Sequence, residues 1–163
     1  MSTLLGAFKR HALGGVSARL DVYLFLIRYF RRKNKLNFAR FFSKRLEIKY
    51  GLFVSERAEI ARTVKFPHPT GIVIGDGVVI EDNVVVYQNV TIGGARIGDW
   101  QKNNYPKIRR NTVIFAGAAV LGNVEVGRDC VVGTLSVVLK SVPAYSTAVG
   151  IPARVIESTT GTR

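Results

Sequence analysis

A single cysteine, Cys130, excludes an internal disulfide and fits a reducing compartment. Histidine occurs twice, at His11 and His68. Two distant histidines and one cysteine cannot assemble a zinc constellation, so no metal site is expected. Acidic residues are sparse: 11 Asp and Glu face 24 Lys and Arg, for a net charge of +13. Long apolar runs are missing as well. The run from Val22 to Arg32 has about half the length that crosses a bilayer. The start, Met1 to Gly15, lacks the apolar centre of a secretory leader and carries Lys9, Arg10 and His11. A cytoplasmic protein is therefore expected.

What remains is enough for one domain. The 163 residues are 47% apolar and 21% charged, which excludes wholesale disorder and allows a real core. The positive charge is uneven: residues 1–50 hold 12 Lys/Arg against two acids (net +10), and residues 51–163 hold 12 against nine (net +3). Such a cluster can be a solvated helical face, or it can attract a polyanion or an anionic membrane surface. No nucleic-acid-binding motif accompanies it, so no nucleic-acid partner is expected.

Residues 1–53 read as basic amphipathic helices. Asp21 is placed to cap a helix over 22–32. A second helix over 37–49 sets Phe38, Phe41, Phe42 and Leu46 on one side and Arg40, Lys44 and Arg45 on another. These helices are expected to pack on the rest of the protein or a sister subunit. Peripheral contact with the inner membrane is the alternative.

From about Val54 the pattern changes. Aliphatic or aromatic residues recur every six positions: Ile60, Phe66, then Ile74, Ile80, Val86, Ile92, and after a break Ile108, Ile114, Val120, Val126, Val132, Val138. A second series sits four positions later: Val78, Val84, Val90, then Thr112, Ala118, Val124, Cys130, Ser136, Val142. No helix and no amphipathic strand has a period of six. The pattern predicts a parallel β-helix over 54–156, with three hexads per triangular coil, about four coils, and a tail at 157–163. Aliphatic residues point inward and stack between coils; small residues, Cys130 among them, turn the corners.

Two stretches break the period. Phe66 to Ile74 spans eight residues and holds Pro67-His68-Pro69-Thr70-Gly71; Ile92 to Ile108 spans sixteen and holds the residues from Gly93 to Lys107. Function tends to sit where a regular scaffold is interrupted, and the two breaks are expected to form one site. Gly93, Gly94 and Gly98 do not make a dinucleotide loop, because no strand–turn–helix context follows. Asn89-Val90-Thr91 matches a glycosylation sequon but lacks the secretory context.

Several motifs resemble the hexapeptide-repeat acyltransferases, and especially their serine O-acetyltransferase branch. They are His68-Pro69-Thr70-Gly71-Ile72-Val73-Ile74-Gly75, Asn89-Val90-Thr91-Ile92-Gly93-Gly94, Pro106-Lys107-Ile108, Gly117-Ala118, Leu121-Gly122-Asn123-Val124-Glu125-Val126-Gly127, Ser136-Val137-Val138-Leu139 and Gly150-Ile151-Pro152-Ala153-Arg154. The resemblance implies a left-handed parallel β-helix with a short N-terminal helical segment. It also implies a homotrimer and an acetyl-CoA co-substrate in the cleft between subunits, with no permanently bound cofactor. It assigns His68 as general base, a task that suits an imidazole titrating near neutral pH. Ala116, Gly117 and Thr134 would line the pantetheine channel. Gly93 and Gly94 would supply oxyanion N–H groups, since glycine permits close approach. Lys107, Lys140 and Arg154 are candidates for the phosphates or adenine, or else solvated surface residues. Trp100, Asn104 and Tyr105 are candidates for the acceptor, or else loop packing.

The match lapses on the amino-acid side. The family's aspartate partner of the histidine falls on Phe53, the aspartate before the histidine on Pro67, and the Arg-His pair that helps hold serine on Asn104-Tyr105. A backbone carbonyl or Glu56 must then orient His68. These changes are similar to those of short O-acetyltransferases that modify capsule, exopolysaccharide or lipopolysaccharide. The expected acceptor is therefore a glycan hydroxyl. A serine O-acetyltransferase and a non-catalytic β-helix scaffold are the alternatives.

Overall fold

A computed structural model describes residues 16–157. His11 and the tail at 158–163 lie outside the described residues. Two helices, α1 (Val16–Arg32) and α2 (Leu36–Tyr50), precede fourteen short strands. The strands are β1 (Leu52–Val54), β2 (Glu59–Ile60), β3 (Ile72–Ile74), β4 (Val79–Ile80), β5 (Val85–Val86), β6 (Thr91–Gly93), β7 (Lys107–Ile108), β8 (Val113–Ile114), β9 (Ala119–Leu121), β10 (Glu125–Val126), β11 (Val131–Val132), β12 (Val137–Val138), β13 (Ser146–Gly150) and β14 (Ala153–Glu157). A single-turn helix, α3 (Asp99–Lys102), interrupts them between β6 and β7.

The strands stack into three sheets, one per face of a triangular solenoid, parallel throughout except for the antiparallel β13–β14 pair. The first face runs β1-β3-β6-β9-β12, the second β2-β4-β7-β10, and the third β5-β8-β11-β13-β14. Register pairs expose the period: Ile74 pairs with Ile92 and Ile114 with Val132, a coil of eighteen residues each. The first break adds two residues to its coil (Val54 to Ile74), and the second adds ten (Ile92 to Val120). Both hexad series are buried, from Ile60 to Val138 in one and Val78 to Val142 in the other. Thr112 sits in the small-residue series and its hydroxyl donates to the Gly127 carbonyl at 2.8 Å, which satisfies a polar group with no water access. Cys130 is buried, and burial pushes its thiol pKa up, as a packing residue requires.

The outward residues differ by face. On the first they are Phe53, Val73, Thr91, Ala119 and Val137, and on the third Val85, Val113, Val131 and Thr147. On the second they are Glu59, Val79, Lys107 and Glu125. There Arg109 bridges two coils, donating to Glu81 at 2.7 Å and Glu125 at 2.6 Å. Two faces are thus apolar outside and one is charged.

The helices differ from the sequence reading in two ways. α1 begins at Val16, so Asp21 lies inside it and does not cap it. Leu20, just before Asp21, is buried like Val22 after it, and the helix extends past Asp21 toward the N-terminus. In α2 the aromatic residues do not share one face. Ala39, Ser43 and Leu46 are buried against the coils, and Phe42 packs against the rings of Tyr23 and Phe30, while Phe41 is exposed and Ile48 is 74% exposed. Ala39 and Ser43 are small enough to let the α2 backbone approach β1, and the Ser43 hydroxyl donates to the Val54 carbonyl. Gly51 ends α2 in the left-handed region, and the β-helix begins at Leu52, two residues before the expected start. No described helix is long and apolar enough to cross a membrane.

Candidate active site

His68 sits where the chain turns from the third face to the first, between Lys65, bridged to Val85, and β3. The two extra residues of this coil push Pro67 and His68 out into solvent while Phe66 stays in the core. Proline on both sides restricts the backbone: Pro67 fixes its own φ, and Pro69 biases His68 toward extended conformations. Gly71 then closes the turn at φ 72°. A Cβ on Gly71 would fall 2.2 Å from Asn89 Oδ1, so only glycine fits both the conformation and the space.

The same corner repeats upward. Asn89, Gly117 and Leu135 also have positive φ, and their N–H groups donate to Thr70, Gln88 and Ala116 carbonyls at 2.9–3.0 Å. This ladder brings His68 onto one edge with Ala116, Gly117 and Thr134. It also carries two residues that the sequence reading missed. Tyr87 and Phe115 follow the inward residues Val86 and Ile114 in consecutive coils, and their rings stack at 5.3 Å with an interplanar angle of 13°. The His68 imidazole faces Tyr87 at 6.3 Å and 43°. Their signal was legible in the register, because the column at this corner reads Pro67, Tyr87, Phe115, Gly133.

The second break lies elsewhere. Residues 94–106 leave the first face and return to the second, so the excursion and His68 occupy opposite edges of the first face. One chain therefore does not bring the two breaks together, contrary to the expectation of one site. Proximity in coil number is not proximity around the triangle. Gly93, Gly94, Trp100, Asn104, Tyr105, Lys107 and Lys140 share the far edge or its flank, and Arg154 is on the terminal strand β14.

Within the excursion, Asp99 is the organiser. Its carboxylate accepts from the N–H groups of Ala95 and Arg96 at 2.7 and 2.8 Å and from the Asn104 amide at 3.2 Å. The Arg96 N–H, followed by the Asn104 amide, holds the Asp99 carboxyl below the usual aspartate range. Because the shift is downward, this restraint is complete above the ordinary aspartate pKa and is lost as pH falls through the lowered value. At neutral pH, Asp99→Ala should speed amide hydrogen exchange at Ala95 and Arg96 about tenfold or more, while exchange in β6 and β7 stays unchanged. Unaltered exchange at 95 and 96 would remove Asp99 from that role.

The Asn104 amide is thus occupied within the loop. Tyr105 packs on the turn at Gly75–Gly77, where a Cβ on Gly77 would lie 2.4 Å from its ring. Burial, then Asp76, raises the Tyr105 pKa, so the phenol stays protonated. Trp100, by contrast, is 64% exposed. Gly93 has open space where a side chain would be, which suits close approach of a ligand to its backbone. Glu56 Oε1 accepts from Arg40 at 2.7 and 2.9 Å, which ties this carboxylate to α2. Among the described residues no group of His, Cys, Asp and Glu could hold a metal ion.

The class this fold defines is the left-handed parallel β-helix built on hexapeptide repeats. Within that class the chain is similar to serine acetyltransferases. It is 42% identical over 98 residues to the serine acetyltransferase of Buchnera aphidicola subsp. Schizaphis graminum, covering 60% of this chain and 37% of the relative. It is likewise 42% identical over 97 residues to that of Escherichia coli strain K12, covering 60% and 35%. The crystal structure of serine acetyltransferase in complex with coenzyme A from Brucella abortus strain S19 superposes with a TM-score of 0.81 at 34% identity, over 90% of this chain and 58% of that one. No family model matches the chain. The chain spans little more than a third of the length of these curated relatives.

Proposed function

We propose that this chain is an acetyl-CoA-dependent O-acetyltransferase with His68 as general base. The observation that carries this reading is the placement of its only histidine among the described residues. His68 sits in a bulge of the repeat, framed by prolines, on the edge that also holds Ala116, Gly117 and Thr134. In the reaction the acceptor oxygen attacks the thioester carbonyl while the imidazole takes the hydroxyl proton. The backbone N–H of Gly94, just past the end of β6, stabilises the oxyanion, while that of Gly93 is held in the β6–β9 ladder. The tetrahedral intermediate then collapses, the C–S bond breaks, and the imidazolium returns its proton to the departing thiolate, giving CoA and the acetyl ester.

This scheme needs a second copy of the chain, because His68 and Gly93-Gly94 lie on opposite edges of the first face. The outward surfaces support a homotrimer: the two faces that meet at the His68 corner are apolar outside, and the charged second face suits solvent. Turning the apolar first face toward a threefold axis would set the His68 corner of one subunit against the excursion of the next.

The names of the relatives support L-serine as the acceptor better than the glycan expected from the sequence. A sugar hydroxyl remains a second reading, favoured by one feature of the site. Holding a serine zwitterion calls for a paired cation and carboxylate. Phe53 carries no charge, the Asn104 amide is committed to Asp99, and Tyr105 lies on a glycine turn. Thiol release from acetyl-CoA, followed with L-serine and with methyl pyranosides in parallel, tests both. Saturable turnover of either confirms O-acetyl transfer, and the acceptor with the higher kcat/KM names the class. No thiol release above hydrolysis with any hydroxyl acceptor would sink the proposal.

A further inference from the structure

The stacked pair Tyr87–Phe115 lies outside the core of the coil. The core is already filled by Val86 and Ile114, each fully buried one residue earlier. At the other corners the matching position holds glycine, as at Gly75, Gly93 and Gly127, an aliphatic residue, as at Leu121 and Leu139, or a member of an ion-pair ladder, as at Glu81 and Arg109. Only the corner that carries His68 places two aromatic rings in register, with Tyr87 half-buried and Phe115 38% exposed. Leaving such apolar area in water is unfavourable and marks a contact surface.

We propose that Tyr87 and Phe115 form the acceptor-selecting wall of the site, favouring a hydroxyl carried on a pyranose ring over a small zwitterion such as L-serine. This inference rests on the O-acetyltransferase reading and specifies its substrate class. The wall is two coils tall and begins beside the imidazole, so an acceptor ring that offers its hydroxyl to His68 has Tyr87 within reach. A pyranose has an apolar face of C–H groups that an aromatic surface covers well, while its hydroxyls stay hydrated. L-serine has one methylene and two charges. Against this wall it loses hydration and gains no ion pair.

The test uses the full chain and two readouts. Binding of methyl α- and β-pyranosides and of L-serine is measured by saturation-transfer NMR, which needs no turnover. Acetyl transfer is measured by thiol release. Wild type should bind at least one pyranoside more tightly than L-serine. Tyr87→Leu should weaken that binding and raise the acceptor KM about tenfold, with the KM for acetyl-CoA within about twofold. Tyr87→Phe keeps the ring and should retain wild-type binding. Phe115→Ala should show a smaller loss in the same direction, and it serves if the Leu variant does not fold. L-serine binding more tightly than every pyranoside overturns the inference. So does a Tyr87→Leu effect confined to acetyl-CoA, or one that appears as a change of oligomeric state in light scattering. None of these results touches the role of His68, and pyranoside binding without thiol release would overturn the O-acetyltransferase reading instead.

Discussion

Replacing His68 with Ala should lower turnover by roughly two to four decades, the usual contribution of a positioned general base. That corresponds to about 3–5 kcal/mol of barrier. Calorimetric affinity for acetyl-CoA should change little, because the imidazole acts on the acceptor proton and not on the donor. The fold should also survive, since His68 is exposed and no hydrogen bond of its side chain is seen among the described residues. A variant with near-normal kcat excludes His68 as the base. His68→Asn is a useful companion: it keeps a polar group in the bulge between Pro67 and Pro69 but cannot take a proton, and it should be as impaired as Ala.

The second large effect concerns the core. Ile108 is fully buried, and it stacks on Ile80 below and Val126 above although a ten-residue excursion separates it from the preceding coil. Truncating it to Ala removes three carbons from a column with no freedom to collapse, because each strand is pinned by ladder bonds on both sides. The cost should be about 2–5 kcal/mol in denaturant unfolding, against about 1 kcal/mol for Ile108→Val. The loss should also reach the excursion, whose return strand starts at Lys107. A cost below 1 kcal/mol for Ile108→Ala would mean that the stack is not the main source of cohesion.

Most of the architecture was legible because one physical rule repeats. A triangular coil needs an inward aliphatic residue and a small corner residue at fixed spacing, and a period of six is produced by no other regular structure. Ile74 to Val138 could therefore be assigned to the core, and the breaks at 66–74 and 92–108 located, without coordinates. The face to which each break belongs was harder to read. That follows only from counting strands around the triangle, which separates His68 from Trp100, Asn104 and Tyr105 within one chain. The helices were less legible still. Asp21 is a good cap residue, but burial of Leu20 and its neighbours outweighs a capping preference worth about 1 kcal/mol. In α2 a purely sequence-based face grouped Phe38, Phe41 and Phe42, while the small residues Ala39 and Ser43 decide which side meets the coils. The aromatic pair at 87 and 115 lies in unbroken hexads, where the period alone gives no sign of a site.

The two ends of the stack have a consequence for assembly. A parallel solenoid presents open backbone edges at its first and last coils, and a second copy could extend them indefinitely, as in a cross-β fibre. Here the first coil lies under α2, fastened by the Ser43–Val54 bond and the Arg40–Glu56 pair. At the other end β14 folds back antiparallel on β13, pairing Ser146 through Gly150 with Glu157 through Ala153. A reversed strand offers the wrong polarity for another coil to continue the parallel register. The first sheet is thus covered at β1 and the third is closed at β14, which hinders growth by edge addition on those faces and leaves the apolar lateral faces as a route to association.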